Sequence, residues 1–186
     1  MTASTGTRTL VNQYTYDRSG RIIAETDPDN QTSRYEYDRS GQQTAFINAL
    51  NRRTEYRYDA KGQLIETIYP DATPNDLSDN PRTRTEYDAL GRAMTAIDEA
   101  GQVTHFIYDA LGRLTQTLYP DLTPNDLTDN PTTRTEYYKN GKVKANIDER
   151  GNRTEYEYDR TDRQILTRDA LGNIKTYAYD AAGNPV

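Results

Sequence analysis

The chain has 186 residues, a formal net charge of −6, one histidine and no cysteine. Its length is that of one domain or part of a larger protein. The missing cysteines exclude disulfides and thiolate metal sites without fixing a compartment, and the acidic balance argues against non-specific nucleic-acid binding. Leu, Ile, Val and Phe are scarce, which beside this charge ordinarily points to disorder. Sixteen tyrosines overturn that reading, because they bring large ring area to bury and recur at fixed phase. No apolar run approaches the ~20 residues that span a bilayer, and residues 1–8 have no hydrophobic segment of the Sec-signal kind.

Residues 1–13 are small and polar and read as a frayed lead-in; residues 14–186 are repeats. Tyr14 and Tyr16 stand two apart and so share one face of a strand. Tyr35/Tyr37, Tyr56/Tyr58, Phe106/Tyr108, Tyr156/Tyr158 and Tyr177/Tyr179 repeat the pair, and Thr85/Tyr87 keeps one aromatic. Each pair runs into a turn motif, Tyr-Asp-x-x-Gly. It reads Tyr16-Asp17 to Gly20, Tyr37-Asp38 to Gly41, Tyr58-Asp59 to Gly62, Tyr87-Asp88 to Gly91 and Tyr108-Asp109 to Gly112. It returns at Tyr158-Asp159 with Asp162 in the glycine's place, and at Tyr179-Asp180 to Gly183. An eroded copy, Tyr138-Lys-Asn-Gly141, is expected to keep the tyrosine and the glycine and to have lost the aspartate. Gly20, Gly41 and Gly62 are 21 residues apart, while Gly62–Gly91 and Gly112–Gly141 span 29. The period is therefore 21 residues, with an 8-residue insertion in two of about eight units.

The motif predicts a tight hairpin. Aspartate suits the first position of a type I turn, where its carboxylate can accept from backbone N–H groups two or three residues on. Glycine suits the left-handed residue that closes such a turn with a bulge. After the turn, positions two and six past the glycine are mostly apolar, as in Leu64/Ile68, Leu114/Leu118 and Val143/Ile147. That alternation predicts one buried and one wet face. A second, weaker turn follows, as in Asp27-Pro-Asp-Asn30, Asn48-Ala-Leu-Asn51, Asp148-Glu-Arg-Gly151 and Asp169-Ala-Leu-Gly172. In two units it is replaced by near-identical Pro- and Asp-rich loops, residues 69–81 and 119–131. The expected fold is all-β, an antiparallel meander or solenoid strip of roughly 14–16 strands, each unit contacting mainly its neighbours.

An enzyme is not expected. The aspartates are explained as turn formers, and nothing singles out two differently tuned carboxylates in a cleft. His105 occupies a strand-surface position held elsewhere by glutamate. No cofactor is implied. Calcium is the sharpest metal candidate: Asp71, Asp76 and Asp79, with Asp121, Asp126 and Asp129 in the second loop, offer hard oxygen ligands. They lack EF-hand order, and turn capping is the favoured reading. The tyrosines admit stacking on sugars or packing ring on ring along the strip; their periodicity favours packing.

Tyr-Asp-x-x-Gly-Arg followed by Asp-x-x-Gly-Asn-x-Thr-x-Tyr-x-Tyr-Asp resembles the YD repeat of Rhs proteins. The nearest stretches are Asp109-Ala-Leu-Gly112-Arg113 and Asp148-Glu-Arg-Gly151-Asn152-Arg-Thr154-Glu-Tyr156-Glu-Tyr158-Asp159. Relatives include bacterial polymorphic toxins, wall-associated proteins, C components of insecticidal toxin complexes, and teneurins. The resemblance implies a strip of sheet that spirals into a hollow shell, enclosing a C-terminal toxin or effector in bacterial members. Further YD repeats of the same polypeptide and that enclosed domain are the implied partners, and a secreted or cell-envelope location follows. Asp27-Pro28 continues with Asp29-Asn30, unlike the shell-closing segment of toxin-bearing members, and Pro185-Val186 falls inside a repeat. Wall without plug, self-cleaving segment or cargo is the expectation. The alternative is a cell-surface recognition module that binds carbohydrate or another cell through the sheet and the two loops.

Overall fold

The computed structural model describes residues 11–73, 78–123 and 126–186. Among them every regular element is a strand. Two compact units are present, residues 1–85 with 98–100, and residues 86–97 with 101–186. The first carries β1 (Gln13–Tyr16), β2 (Ile22–Thr26), β3 (Thr32–Tyr37), β4 (Gln43–Ile47), β5 (Arg53–Tyr58), β6 (Leu64–Ile68) and most of β7 (Arg82–Tyr87). The second carries β8 (Ala93–Ile97), β9 (Val103–Tyr108), β10 (Leu114–Leu118) and β11 (Thr132–Tyr137). It continues through β12 (Val143–Ile147), β13 (Arg153–Tyr158), β14 (Gln164–Arg168) and β15 (Ile174–Thr176). In each unit strand order is chain order and neighbours are antiparallel, the meander that the repeat predicts.

Both kinds of turn have the same closed geometry. In the Asp17 turn the Gly20 N–H donates to the Asp17 carbonyl and the Asp17 N–H to the Arg21 carbonyl, and Gly20 has φ of 80°. The second turns copy it with Asn30 at φ 61° and Asn51 at φ 58°, so they are not weaker versions of the first. Asparagine tolerates this left-handed region because its short amide bonds locally.

A second irregularity escaped the sequence. Beyond the turns that follow Tyr16, Tyr37, Tyr58, Tyr108, Tyr137 and Tyr158 the register slips by one residue. Tyr58 faces Leu64, but Arg57 faces Glu66 and Tyr56 faces Thr67, leaving Ile65 as a bulge. Thr44 and Lys144 are skipped in the same way. Because side chains alternate with period two, one extra residue moves everything beyond it to the opposite face. Ile68 therefore lies with Glu55 and Arg82, not with Tyr56.

The expected division into a buried apolar face and a wet face is thus corrected. One face carries the tyrosines and threonines; the other carries short rows of arginine and glutamate lying over the aliphatic positions. The buried apolar residues Ala45, Ile68 and Ala145 sit on the charged face. Ala45 is flanked by Glu36 and Glu55, and Ala145 by Glu136 and Glu155. Charged side chains exclude water from these positions with their aliphatic stems.

Candidate functional site

Each turn that keeps the motif aspartate is held by it. Asp109 Oδ1 accepts from the Leu111 N–H at 2.9 Å and the Arg113 N–H at 3.0 Å, while Oδ2 takes the Arg113 Nε–H at 2.7 Å. The acceptances come from residues two and four along, where two and three were expected. Asp17, Asp88 and Asp159 make the same set with Arg21, Arg92 and Arg163. The backbone N–H of Arg113 and then its side chain hold the Asp109 carboxyl below the usual carboxylate range. For Asp159 the backbone N–H of Arg163 is the largest cause of a stronger depression.

The arginine after the glycine also reaches the next unit, a role the sequence reading missed. Arg21 lies 4.6 Å from the Tyr37 ring centroid, Arg92 4.6 Å from Tyr108, Arg113 4.3 Å from Tyr137 and Arg163 4.7 Å from Tyr179. Arg113 Nη1 donates to the Tyr138 carbonyl at 3.2 Å. Where glutamine replaces arginine, Gln42 Nε2 donates to the Gly62 carbonyl at 3.0 Å. The recurrence of Gly-Arg at Gly20-Arg21, Gly91-Arg92 and Gly112-Arg113 was the available signal.

The motif tyrosine closes the link from the other side. Tyr37 donates its hydroxyl to the Ile22 carbonyl at 2.9 Å, Tyr58 to Gln43 at 2.8 Å, Tyr137 to Leu114 at 2.9 Å and Tyr179 to Gln164 at 2.9 Å. A half-buried ring with a satisfied hydroxyl is how tyrosine fills a half-polar interior. Ring-on-ring contact is local instead: Tyr14–Tyr16, Tyr35–Phe46 and Tyr138–Tyr158 approach within 6.5, 5.4 and 6.3 Å. The repeating contact is therefore guanidinium on ring.

The eroded copy is corrected. Tyr137, not Tyr138, is its motif tyrosine, since it receives Arg113 and reaches Leu114. Tyr138 holds the aspartate's place and makes the turn's backbone bonds to Lys142 and Gly141. Asn140 Oδ1 accepts from the Lys142 N–H at 3.3 Å, a partial substitute for the lost carboxylate. Counting four back from Gly141 finds Tyr137; the doubled tyrosine concealed it.

On the charged face Glu36 receives both terminal nitrogens of Arg53 at 2.8 Å, and Arg53 Nε donates to Glu55 at 2.9 Å. Arg153 joins Glu136 and Glu155 identically. Glu66 is more enclosed, its side chain 9% exposed, with Arg57 and Arg84 at 2.8 Å and Arg82 at 3.8 Å. Burial works to raise its carboxyl; the Arg84 hydrogen bond and the arginine charges outweigh it, and the net direction is down.

The inserted loops are pinned at their necks: the Tyr69 N–H donates to the Pro81 carbonyl and Tyr119 to Pro131, both at 2.8 Å. Asn80 and Asn130 donate side-chain N–H groups to the Tyr69 and Tyr119 carbonyls. Asp71 and Asp79 converge on the Thr73 hydroxyl, and Asp121 and Asp129 on Thr123. Asp126 caps Thr128, and Asp76 lies outside the described residues. Among the described residues no group of three or more His, Asp or Glu side chains is placed to hold a metal ion. His105 sits on the charged face, facing Thr95 and Leu118.

The RHS repeat family model matches residues 16–48, 37–74 and 81–123. No curated protein matches the sequence. Among solved structures, the chain is similar to a crystal structure of TcdB2-TccC3-Cdc42, at 16% identity and a TM-score of 0.71, and to one of TcdB2-TccC3, at 17% and 0.70. A TcdB2-TccC3-TEV structure follows at 15% and 0.57. The first two alignments cover 95% of this chain and 10% of the other, so the chain spans about a tenth of the structures it resembles. This likeness is one of fold.

Proposed function

From a chain that belongs to the RHS repeat family, with more than half its residues matched, we propose a structural role: a stretch of β-shell wall in a larger secreted protein that encloses a C-terminal toxin or effector. The observation that carries the reading is how the motif side chains are spent. The aspartate closes its own turn, the arginine reaches the next tyrosine, and that tyrosine reaches back to a strand carbonyl. At Asp17–Arg21–Tyr37, Asp109–Arg113–Tyr137 and Asp159–Arg163–Tyr179 these groups are committed to backbone and to each other and build a surface; the reading assigns them no reaction. The fold likeness to structures containing TcdB2 and TccC3 supports it.

The natural full-length polypeptide tests it. Limited proteolysis should leave any C-terminal domain protected until the repeats are opened by denaturant, and electron microscopy should show a hollow particle. A C-terminal domain digested as fast in the native protein as in denaturant overturns the reading.

A second reading is recognition of carbohydrate at an aromatic cleft lined by Tyr138, Lys139, Asn140, Glu157, Tyr158 and Asp159. The Tyr138 and Tyr158 rings meet there edge to face at 89°. Selective binding on a glycan array, abolished by Tyr158→Ala, supports it; a silent array removes it.

A further inference from the structure

The acidic charge of the chain is distributed by rim. An antiparallel meander places alternate turns at opposite ends of its strands, so each unit has one rim of Tyr-Asp turns and one rim of return turns and inserted loops. In the first unit the Tyr-Asp tips present exposed Arg18, Arg39 and Lys61, and each turn aspartate bonds its own turn. The opposite rim presents Asp29 and, from the inserted loop, Asp71 and Asp79, with exposed Arg52 its basic exception. The second unit repeats the division. Its Tyr-Asp tips carry exposed Lys139 and Arg160, with Asp162 the acidic exception, and its return rim carries Asp121, Asp126, Asp129 and Glu149, with Arg150 the basic exception.

Apolar surface accompanies the charge on both rims. Leu90 and Leu111 stand exposed at Tyr-Asp tips, at 80% and 74%. Leu50, Leu122 and Leu171 stand exposed on return turns and the second loop. An isolated exposed leucine needs no explanation; leucines on two rims whose exposed charges are mainly of opposite sign describe two complementary surfaces.

We propose that the two rims are adhesive toward each other: the acidic return-turn rim of one copy of this chain docks on the basic-tipped Tyr-Asp rim of a second copy. Two different surfaces meet, so the contact is heterologous and open-ended. Complementary charge sets orientation and speeds encounter, and the leucines supply apolar contact between charges. The inference is independent of what the wall encloses, because association of free copies can fail while the wall reading stands.

Sedimentation velocity of the full chain tests it. Association is expected at about 10 mM NaCl, where the Debye length is ~30 Å, and dispersal to monomer at about 1 M, where it is ~3 Å. A first variant carries Arg18→Glu, Arg39→Glu, Lys139→Glu and Arg160→Glu; a second carries Asp29→Lys, Asp79→Lys, Asp129→Lys and Glu149→Lys. Each alone should remain monomeric at low salt, and an equimolar mixture should associate again, since the acidic return rim kept by the first variant then meets the basic Tyr-Asp tips kept by the second. Circular dichroism confirms that each variant is folded, and the salt series on the unmodified chain is informative even if one is not. A chain monomeric at every salt concentration overturns the proposal. So does association indifferent to salt, the behaviour of strand pairing at open sheet edges, or a variant mixture that fails to associate.

Discussion

The Arg113 guanidinium lies 4.3 Å from the centre of the Tyr137 ring while its Nε holds Asp109 at 2.7 Å. One side chain thus serves the turn that bears it and the strand that follows. Replacing it should weaken both. Arg113→Ala is expected to lower stability by about 1 kcal/mol through the lost cation–ring contact. Lysine should recover only part, because it cannot reproduce the planar fork. Urea midpoints of the three proteins check this; a lysine variant equal to the parent would sink the fork argument.

Tyr58 separates ring from hydroxyl. Its O–H donates to the Gln43 carbonyl at 2.8 Å. Tyr58→Phe should cost about 1 kcal/mol for the hydrogen bond. Tyr58→Ala should cost about 2 kcal/mol or more, below the full core value because the ring is half-buried. Melting that matches the parent in both variants would remove tyrosine packing as the strip's support.

Gly112 has φ of 81°, and a Cβ there would meet Arg92 Nη1 at 3.4 Å, an ordinary contact. Backbone strain, not space, sets the cost. Gly112→Ala should destabilise by about 1–2 kcal/mol. Gly112→Asn should cost less, since Asn30 and Asn51 already hold that conformation in the return turns. The order of the two urea midpoints decides it.

Acid should loosen the strip. Asp17, Asp88, Asp109, Asp159 and Glu66 all lie below their ordinary values of 3.8 and 4.5 in the folded chain. A carboxyl depressed by folding contributes stability that is fully present above its unfolded value and lost as pH falls through the folded one. The urea midpoint should therefore stay level from neutral pH down to about pH 5 and fall below about pH 4. A midpoint that rises on acidification contradicts the depressed values.

Glu66 is the enclosed exception on the charged face, holding Arg57 and Arg84 at 2.8 Å. Glu66→Gln should cost about 2 kcal/mol, less than a fully buried pair because both arginines remain half exposed. Glu66→Ala places there the residue found at Ala45 and Ala145, and should cost no more than glutamine. Paired urea titrations test that order.

How much was legible beforehand follows from the range of each interaction. Asp109, Gly112 and Arg113 lie within five residues, so their turn was readable from spacing and residue type alone. The doubled Tyr137-Tyr138 misled only because both residues suit a strand end. Arg113 over Tyr137 spans an inserted loop of the chain, and no local pattern says which ring it meets. The calcium candidates look like ligands in sequence, whereas Asp71 and Asp79 share Thr73 between them.

The sequence by itself determined the 21-residue unit, the hairpin at every Tyr-Asp-x-x-Gly, the all-β meander and the family, because each rests on residue types at short, repeated separations. Only the tertiary structure decided which face each strand residue joins. One bulged residue beyond the turn, Ile65 in the case of β6, sends Glu66 and Ile68 to the side away from Tyr56. That choice is a register between two strands, and register is settled by cross-strand pairing and burial, which no single strand's alternation contains.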